Sequence, residues 1–291
     1  MEPINVEQQP FGIVGSPDGK WVYVANYGSD SVSVINTDYN IVYYPHVTVG
    51  DGPIGVAISG NGRRLYVANY LSSTVSVVDI PTNFTTPTTI ATIQFPADSQ
   101  PDNVALSADG TMLYVARWHD WKVSVVDLTS ANYDIVQTID VGEAPSAFAV
   151  SNDGSRVYVA NEFGGGNGSI TVLDSSHPRD NKVLATWPLP YQSFPQQIAL
   201  SSNGRFLYVP REGQASSLII DTDDGSIRAN TRVDVQPMAA ALSPDSSLVY
   251  VTHGNMVSVL NSGWNLPAMA DIPLGGPTSW LINIAVVTKC S

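Results

Sequence analysis

A tyrosine-valine dipeptide recurs down this chain at a nearly fixed interval, and that interval limits the folds open to it. Tyr23, Tyr66, Tyr114, Tyr158, Tyr208 and Tyr250 follow one another at spacings of 43, 48, 44, 50 and 42 residues. A turn-forming tetrapeptide precedes each: SPDG (16–19), SGNG (59–62), SADG (107–110), SNDG (151–154), SSNG (201–204) and SPDS (243–246). Gly, Asn and Asp supply left-handed or tight backbone at low cost, so each tetrapeptide predicts a two-residue hairpin turn between antiparallel strands.

Upstream of each turn lies a proline and a short apolar run, as in PIGVAIS (53–59) and PSAFAVS (145–151). Downstream come RLYVAN (64–69), TVSVVD (74–79) and a fourth run ending near glycine, as in DIVQTIDVG (134–142). Small and β-branched residues alternate along these runs, and no window keeps a helical period. Four strands repeated every 40–45 residues or so describe a β-propeller blade. The expected fold is therefore all-β, one domain over residues 1–291. Its repeats fall near 10–52, 53–100, 101–144, 145–194, 195–236 and 237–276, with terminal strands at 1–9 and 277–291. MEPINVEQQ resembles a fourth strand and PTSWLINIAVVTKCS a first strand. Together they would make the incomplete last blade of a seven-bladed ring; in a six-bladed ring they would be extra edge strands.

Charge narrows the partners. Thirteen Lys and Arg against 26 Asp and Glu leave a net charge of -13, which repels nucleic acid but tolerates metal ions and cationic ligands. Charged residues are only 13% of the chain and hydrophobic ones 43%, a composition that buries a core. Cys290 is the only cysteine, so neither an intrachain disulfide nor a zinc site of paired cysteines is possible. The opening MEPINVEQQP lacks the basic and apolar regions of a signal peptide, and no apolar run approaches the roughly 20 residues of a membrane span.

The YVAN copies at 23–26, 66–69 and 158–161, with their SPDG-like turns and VSV strands, resemble the YVTN family of β-propeller repeats over residues 10–276. The resemblance implies a scaffold that hosts ligand binding, surface-layer architecture and, in the related streptogramin lyases, metal-dependent lyase chemistry. It also points, with the single cysteine, to a periplasmic, secreted or cell-surface location.

In a propeller the loops between second and third strands share a face with the connections between blades. These loops read NYGSDS (26–31), NYLSST (69–74), RWHDWK (117–122), NEFGGGNGS (161–169), REGQASS (211–217) and HGNM (253–256). Asn26, Asn69 and Asn161 open three of them, and Arg117, Arg211 and His253 stand at that position in the others. Two guanidiniums could grip a carboxylate or phosphate, and His253 or His119 could move a proton. Alternatively, the position ties each hairpin together. Trp118 and Trp121 flank His119 and Asp120 and suit a sugar, an aromatic ligand or a protein hot spot, unless they only pack between blades. Asp98, Asp102, Glu143, Glu162 and Glu212 are carboxylates of the same face, with Asp102 beginning an innermost strand. No HxH or HExxH spacing marks a metal, and His46 and His177 lie in other loops.

Two readings follow. In the first, the protein is a non-catalytic propeller that needs no cofactor and binds a small molecule, glycan or protein on this face. In the second, it is a lyase or hydrolase at the channel mouth. His253 or His119 would then act as acid or base, with Arg117 and Arg211 holding substrate anions and a divalent Mg or Ca ion assisting.

Overall fold

The computed structural model describes residues 4–81, 86–233, 236–243, 245–254, 256–262 and 270–273. Their regular structure is six four-stranded antiparallel sheets, each with its strands in chain order, and a single 3-10 turn at Tyr27–Ser29. The fold is a β-propeller. Blade one comprises Pro10–Gly15, Trp21–Asn26, Ser31–Asn36 and Ile41–Thr48. The later blades occupy 53–94, 101–140, 145–188, 199–232 and 237–273. By contact density the chain falls into two compact units. Unit one holds residues 4–120 and 124–136, unit two holds 121–123 and the described residues from 137 onward, and the division runs within blade three.

Packing follows the repeat. In unit one, Tyr23, Val32 and Val34 of blade one meet Leu65, Val67 and Val78 of blade two, and Tyr66, Val75 and Val77 meet Val104, Leu113 and Val115. In unit two, Tyr158, Ile170 and Val172 meet Leu207, Val209 and Leu218. Strand alternation sends one face of every sheet into each interface, and each fully buried Val or Leu contributes about 1.5–3 kcal/mol. Burial also pushes the Tyr66 phenol up to about 12.

The hairpin turns differ from expectation in length. In blade one the strands stop at Gly15 and resume at Trp21, so five residues make the connection, not two. Ser16 explains this: its hydroxyl donates to Asp18 Oδ1 at 2.6 Å and accepts the Trp21 N–H at 2.9 Å, while Asp18 also accepts the Lys20 N–H at 3.1 Å. Gly19, at φ 71°, closes the turn.

Residues 4–9 were expected as strand and form none; Gln8 and Gln9 instead accept the backbone N–H groups of Gly28 and Tyr27. That is the role Asp51 and Gly52 play for Leu71 and Tyr70 in blade two. Residues 277–291, the other expected terminal strand, lie outside the described residues. His46 lies in a strand, Ile41–Thr48, not in a loop.

Candidate functional site

The residue ending each second strand shapes the loop face. Asn26 donates through Nδ2 to Ser31 and Ser33 (3.0 and 2.9 Å), Asn69 to Thr74 and Ser76 (both 2.9 Å), and Asn161 to Ser169 and Thr171 (3.1 and 2.9 Å). One amide thus ties the second strand to two hydroxyls of the third. The Asn side chains are buried completely, and Gly50 and Gly142 pass so close that a Cβ there would lie 2.6 Å from Asn69 or Asn161.

The three replacements do the same work. Arg117 donates to Ser124 (3.2 Å) and pairs with Asp120. Arg211 donates to Ser216 (3.2 Å), Ser193 (3.0 Å) and the Tyr191 carbonyl (3.0 Å). His253 Nε2 meets the Ser258 hydroxyl at 2.7 Å, and Ser258 donates to Asp271 at 2.5 Å. Their residues are 5, 6 and 1% exposed, so each is buried and hydrogen-bonded within the protein. Burial lowers the Arg211 pKa from its usual value. In the His253 cluster the serine stands between histidine and carboxylate, the reverse of a nucleophilic triad, where histidine is central.

The next residue in each loop separates the two units. In unit one it is aromatic: Tyr27 packs on Phe11 with centroids 5.4 Å apart, and Tyr70 on Trp118 at 6.3 Å. Trp118 therefore seals against blade two. His119 is exposed, and Asp102, the second residue of its strand, is partly buried. Trp121, assigned to unit two, is 49% exposed and adopts φ 58°. Asp30 and Ser73 hold the same left-handed place before the third strand, which is uncommon for a bulky side chain.

In unit two the corresponding residues are Glu162 and Glu212, both partly exposed, and Gly254 in blade six. One amide bridges the two glutamates: Gln196 Nε2 lies 3.0 Å from Glu162 Oε1 and 2.9 Å from Glu212 Oε2. Glu143 joins the same stretch of backbone, its carbonyl accepting the Phe163 N–H at 3.1 Å, and Phe163 meets Phe194 edge-on at 5.8 Å. Gln196 was not anticipated. It lies in the irregular segment before Ala199–Leu200, a first strand of only two residues. Its place beside Pro195, matching Asp102 beside Pro101, was the available signal.

The arrangement can do two things. Paired carboxylates a few ångströms apart can accept a proton from water or attract a cation. Among the described residues no three or more His, Cys, Asp or Glu side chains gather closely enough to hold a metal ion. At the hairpin end of unit two, Tyr158, Trp187, Asn203 and Thr222 line a cleft of about 590 Å³. A similar cleft of about 440 Å³ between the turns of blades one and two shows that neighbouring blades produce such grooves.

Among solved structures, two candidate 6-phosphogluconolactonases resemble the chain. That of Bacteroides fragilis has 18% identity and TM-score 0.78, over 91% of this chain and 84% of that one. That of Bacteroides uniformis has 17% identity and TM-score 0.75, over 90% and 85%. Hydrazine synthase of Kuenenia stuttgartiensis matches at 20% identity and TM-score 0.61, over 91% and 99%. At such identities the likeness concerns the fold alone. No curated protein matches the chain in sequence. The resemblance to YVTN repeats and streptogramin lyases thus holds for the propeller and not for either family. The family model that does match is described as "Lactonase, 7-bladed beta-propeller" and covers residues 7–172. With more than half its length so matched, the chain belongs to the lactonase family of seven-bladed β-propellers.

Proposed function

We propose that this protein is a hydrolase that opens a lactone, a cyclic ester, at the loop face of unit two. Family membership carries the reading, since a lactonase family favours the catalytic alternative over non-catalytic binding. The names of the two Bacteroides proteins support the same substrate class.

The chemistry asks for little. A water oxygen attacks the ester carbonyl carbon, the ring C–O bond breaks, and the ring oxygen leaves with a proton, giving a hydroxy acid. Glu162 or Glu212 takes the proton that water gives up. Gln196 holds both carboxylates through its two N–H groups, which fixes the position of the base. Arg117, Arg211 and His253 play no direct part, since each is buried and hydrogen-bonded to a serine.

Proton release from glucono-1,5-lactone, followed with a pH indicator against the spontaneous rate, tests the reading. Catalysed release that falls about 10²–10⁴-fold in Glu162→Gln or Glu212→Gln is expected. Release no faster than the uncatalysed rate across a panel of sugar and aliphatic lactones would refute it.

A further inference from the structure

The hairpin end of unit two carries a second site, apart from the chemistry at Glu162 and Glu212. We propose that the cleft between blades four and five binds a saccharide. Arg156, at the cleft, and Asn161, beside Glu162, begin and end one strand about 17 Å long, so the two sites do not share a ligand.

The sister grooves of unit one are narrowed by aromatic rings. Between blades one and two, Trp21 opens the second strand and Tyr43 stands opposite Val34, and the two rings meet edge to face at 5.6 Å. Blade four has Arg156 and Ala185 at these places, Ala185 lying opposite Val172. Between blades two and three, partly buried Tyr133 packs on the cluster that contains Tyr66. Tyr133 precedes Asp134, whose carbonyl accepts the Asp127 N–H; in blade five Gly225 holds the same left-handed place before Ser226, whose carbonyl accepts the Asp221 N–H. Three rings are thus exchanged for arginine, alanine and glycine. The cleft at blades four and five is about 590 Å³, against about 440 Å³ at blades one and two.

The lining of the wider cleft selects the ligand. Trp187 stands opposite Ile170 on the outer strand, where blades one and two have Val47 and Ile93. Gly225 backs this indole, since a Cβ there would lie 2.5 Å from its ring. Trp187, Tyr158 and Leu184 offer apolar surface of the kind that packs on the C–H face of a sugar ring. Asp153, Asn203 and Asp223 reach the cleft from three different turns, and Arg156 adds donors. Sugar hydroxyls donate to carboxylates and accept from a guanidinium, so one polyhydroxylated ring can use both walls and the apolar floor.

Titrations of glucose, maltose, cellobiose and lactose into the full chain, followed by saturation-transfer NMR, test the assignment, with putrescine as a cationic probe. At least one saccharide should bind, with Kd about tenfold higher in Asp223→Asn, an exposed position, and in Trp187→Ala. Ala185→Tyr, which restores the ring of blade one, should abolish that binding, and Glu162→Gln should leave it unchanged. Binding of no saccharide, undiminished binding in both Asp223→Asn and Ala185→Tyr, loss in Glu162→Gln, or preference for putrescine over every saccharide overturns the proposal. Lactone turnover is a separate readout, so the hydrolase reading stands or falls without it.

Discussion

The two compact units start from the same repeat and diverge at one register. After the residue that ties the hairpin, unit one places Tyr27, Tyr70 and Trp118, and unit two places Glu162, Glu212 and, in blade six, Gly254. The first set packs ring against ring; the two glutamates are spread across one glutamine amide. First strands diverge too. In unit one Gly12 and Gly55 let neighbouring backbones touch, with Asn103 at that position in blade three, whereas Ala147, Gln197 and Ala239 fill it in unit two. A repeat can therefore keep its frame while one unit seals its loop end with aromatic packing and the other leaves charge there.

The largest expected effect sets the units against each other in catalysis. Glu162→Gln and Glu212→Gln should each lower kcat by about 10²–10⁴, while Tyr70→Phe and Trp118→Phe stay within about tenfold of the parent. Lactone-dependent proton release measures both, and equal losses on the two sides would erase the functional distinction.

Stability gives the next contrast. A Cβ at Gly12 would lie 2.0 Å from the Ile54 carbonyl oxygen, and one at Gly55 would lie 2.6 Å from the Asn103 Cα and the Asp102 oxygen. Backbone cannot yield as a side chain does, so Gly12→Ala or Gly55→Ala should cost about 3 kcal/mol, the upper end of overpacking penalties. Ala147→Gly in unit two should cost about 1 kcal/mol, from chain entropy. Urea unfolding decides, and a mild Gly55→Ala would show that the first strands of unit one can separate.

Smaller still is the difference among the hairpin ties. Asn69→Leu strands two hydroxyls and should cost about 1–3 kcal/mol. His253→Asn restores the residue used in three other blades, with Ser258 still opposite, and should change stability by less than about 1 kcal/mol. Loss of activity in a stably folded His253→Asn would mean the histidine does more than tie its blade.

The smallest effect concerns acid. The Asp153 carboxyl is held down to about 2 by the Ser151 hydroxyl and then by the N–H and hydroxyl of Ser155. A carboxyl depressed from 3.8 adds stability that is complete above about pH 4 and is lost as pH falls towards 2. Asn61 and Asn203 occupy the same turn place and do not titrate. Asp153→Asn should therefore flatten the acid limb of the unfolding curve between about pH 4 and pH 2. An unaltered limb would place the acid sensitivity in other carboxylates.

The blades were legible because their signals are local. Proline opens the first strand, Ser-x-Asp-Gly or its variant turns the hairpin, and alternation marks the buried face, each within a few residues. Other repeated features left no such mark. The residue before the blade proline is left-handed in all six repeats, at Gln9, Gly52, Gln100, Ala144, Phe194 and Gln236, yet only one is glycine. That backbone is imposed by the paired loop beside it, for in blade four the Ala144 carbonyl accepts the Glu162 N–H at 2.9 Å. Arg117, Arg211 and His253 drew attention because they break the Asn pattern. The sequence did not reveal that a serine of the third strand is within hydrogen-bond reach of each.

By itself, then, the sequence determined the repeat, the strand order within each blade, the all-β class and the acidic surface, since these depend on neighbours in the chain and on composition. Only the tertiary structure decided which polar side chains come together. Glu162, Gln196 and Glu212 come from separate segments, and a hydrogen bond between residues 34 or 16 positions apart depends on how blades pack rather than on any local pattern. Burial decided the rest: a guanidinium bonded to Ser216 of its own sheet and to Ser193 and the Tyr191 carbonyl of the preceding connection costs too much to withdraw, so Arg211 holds the fold.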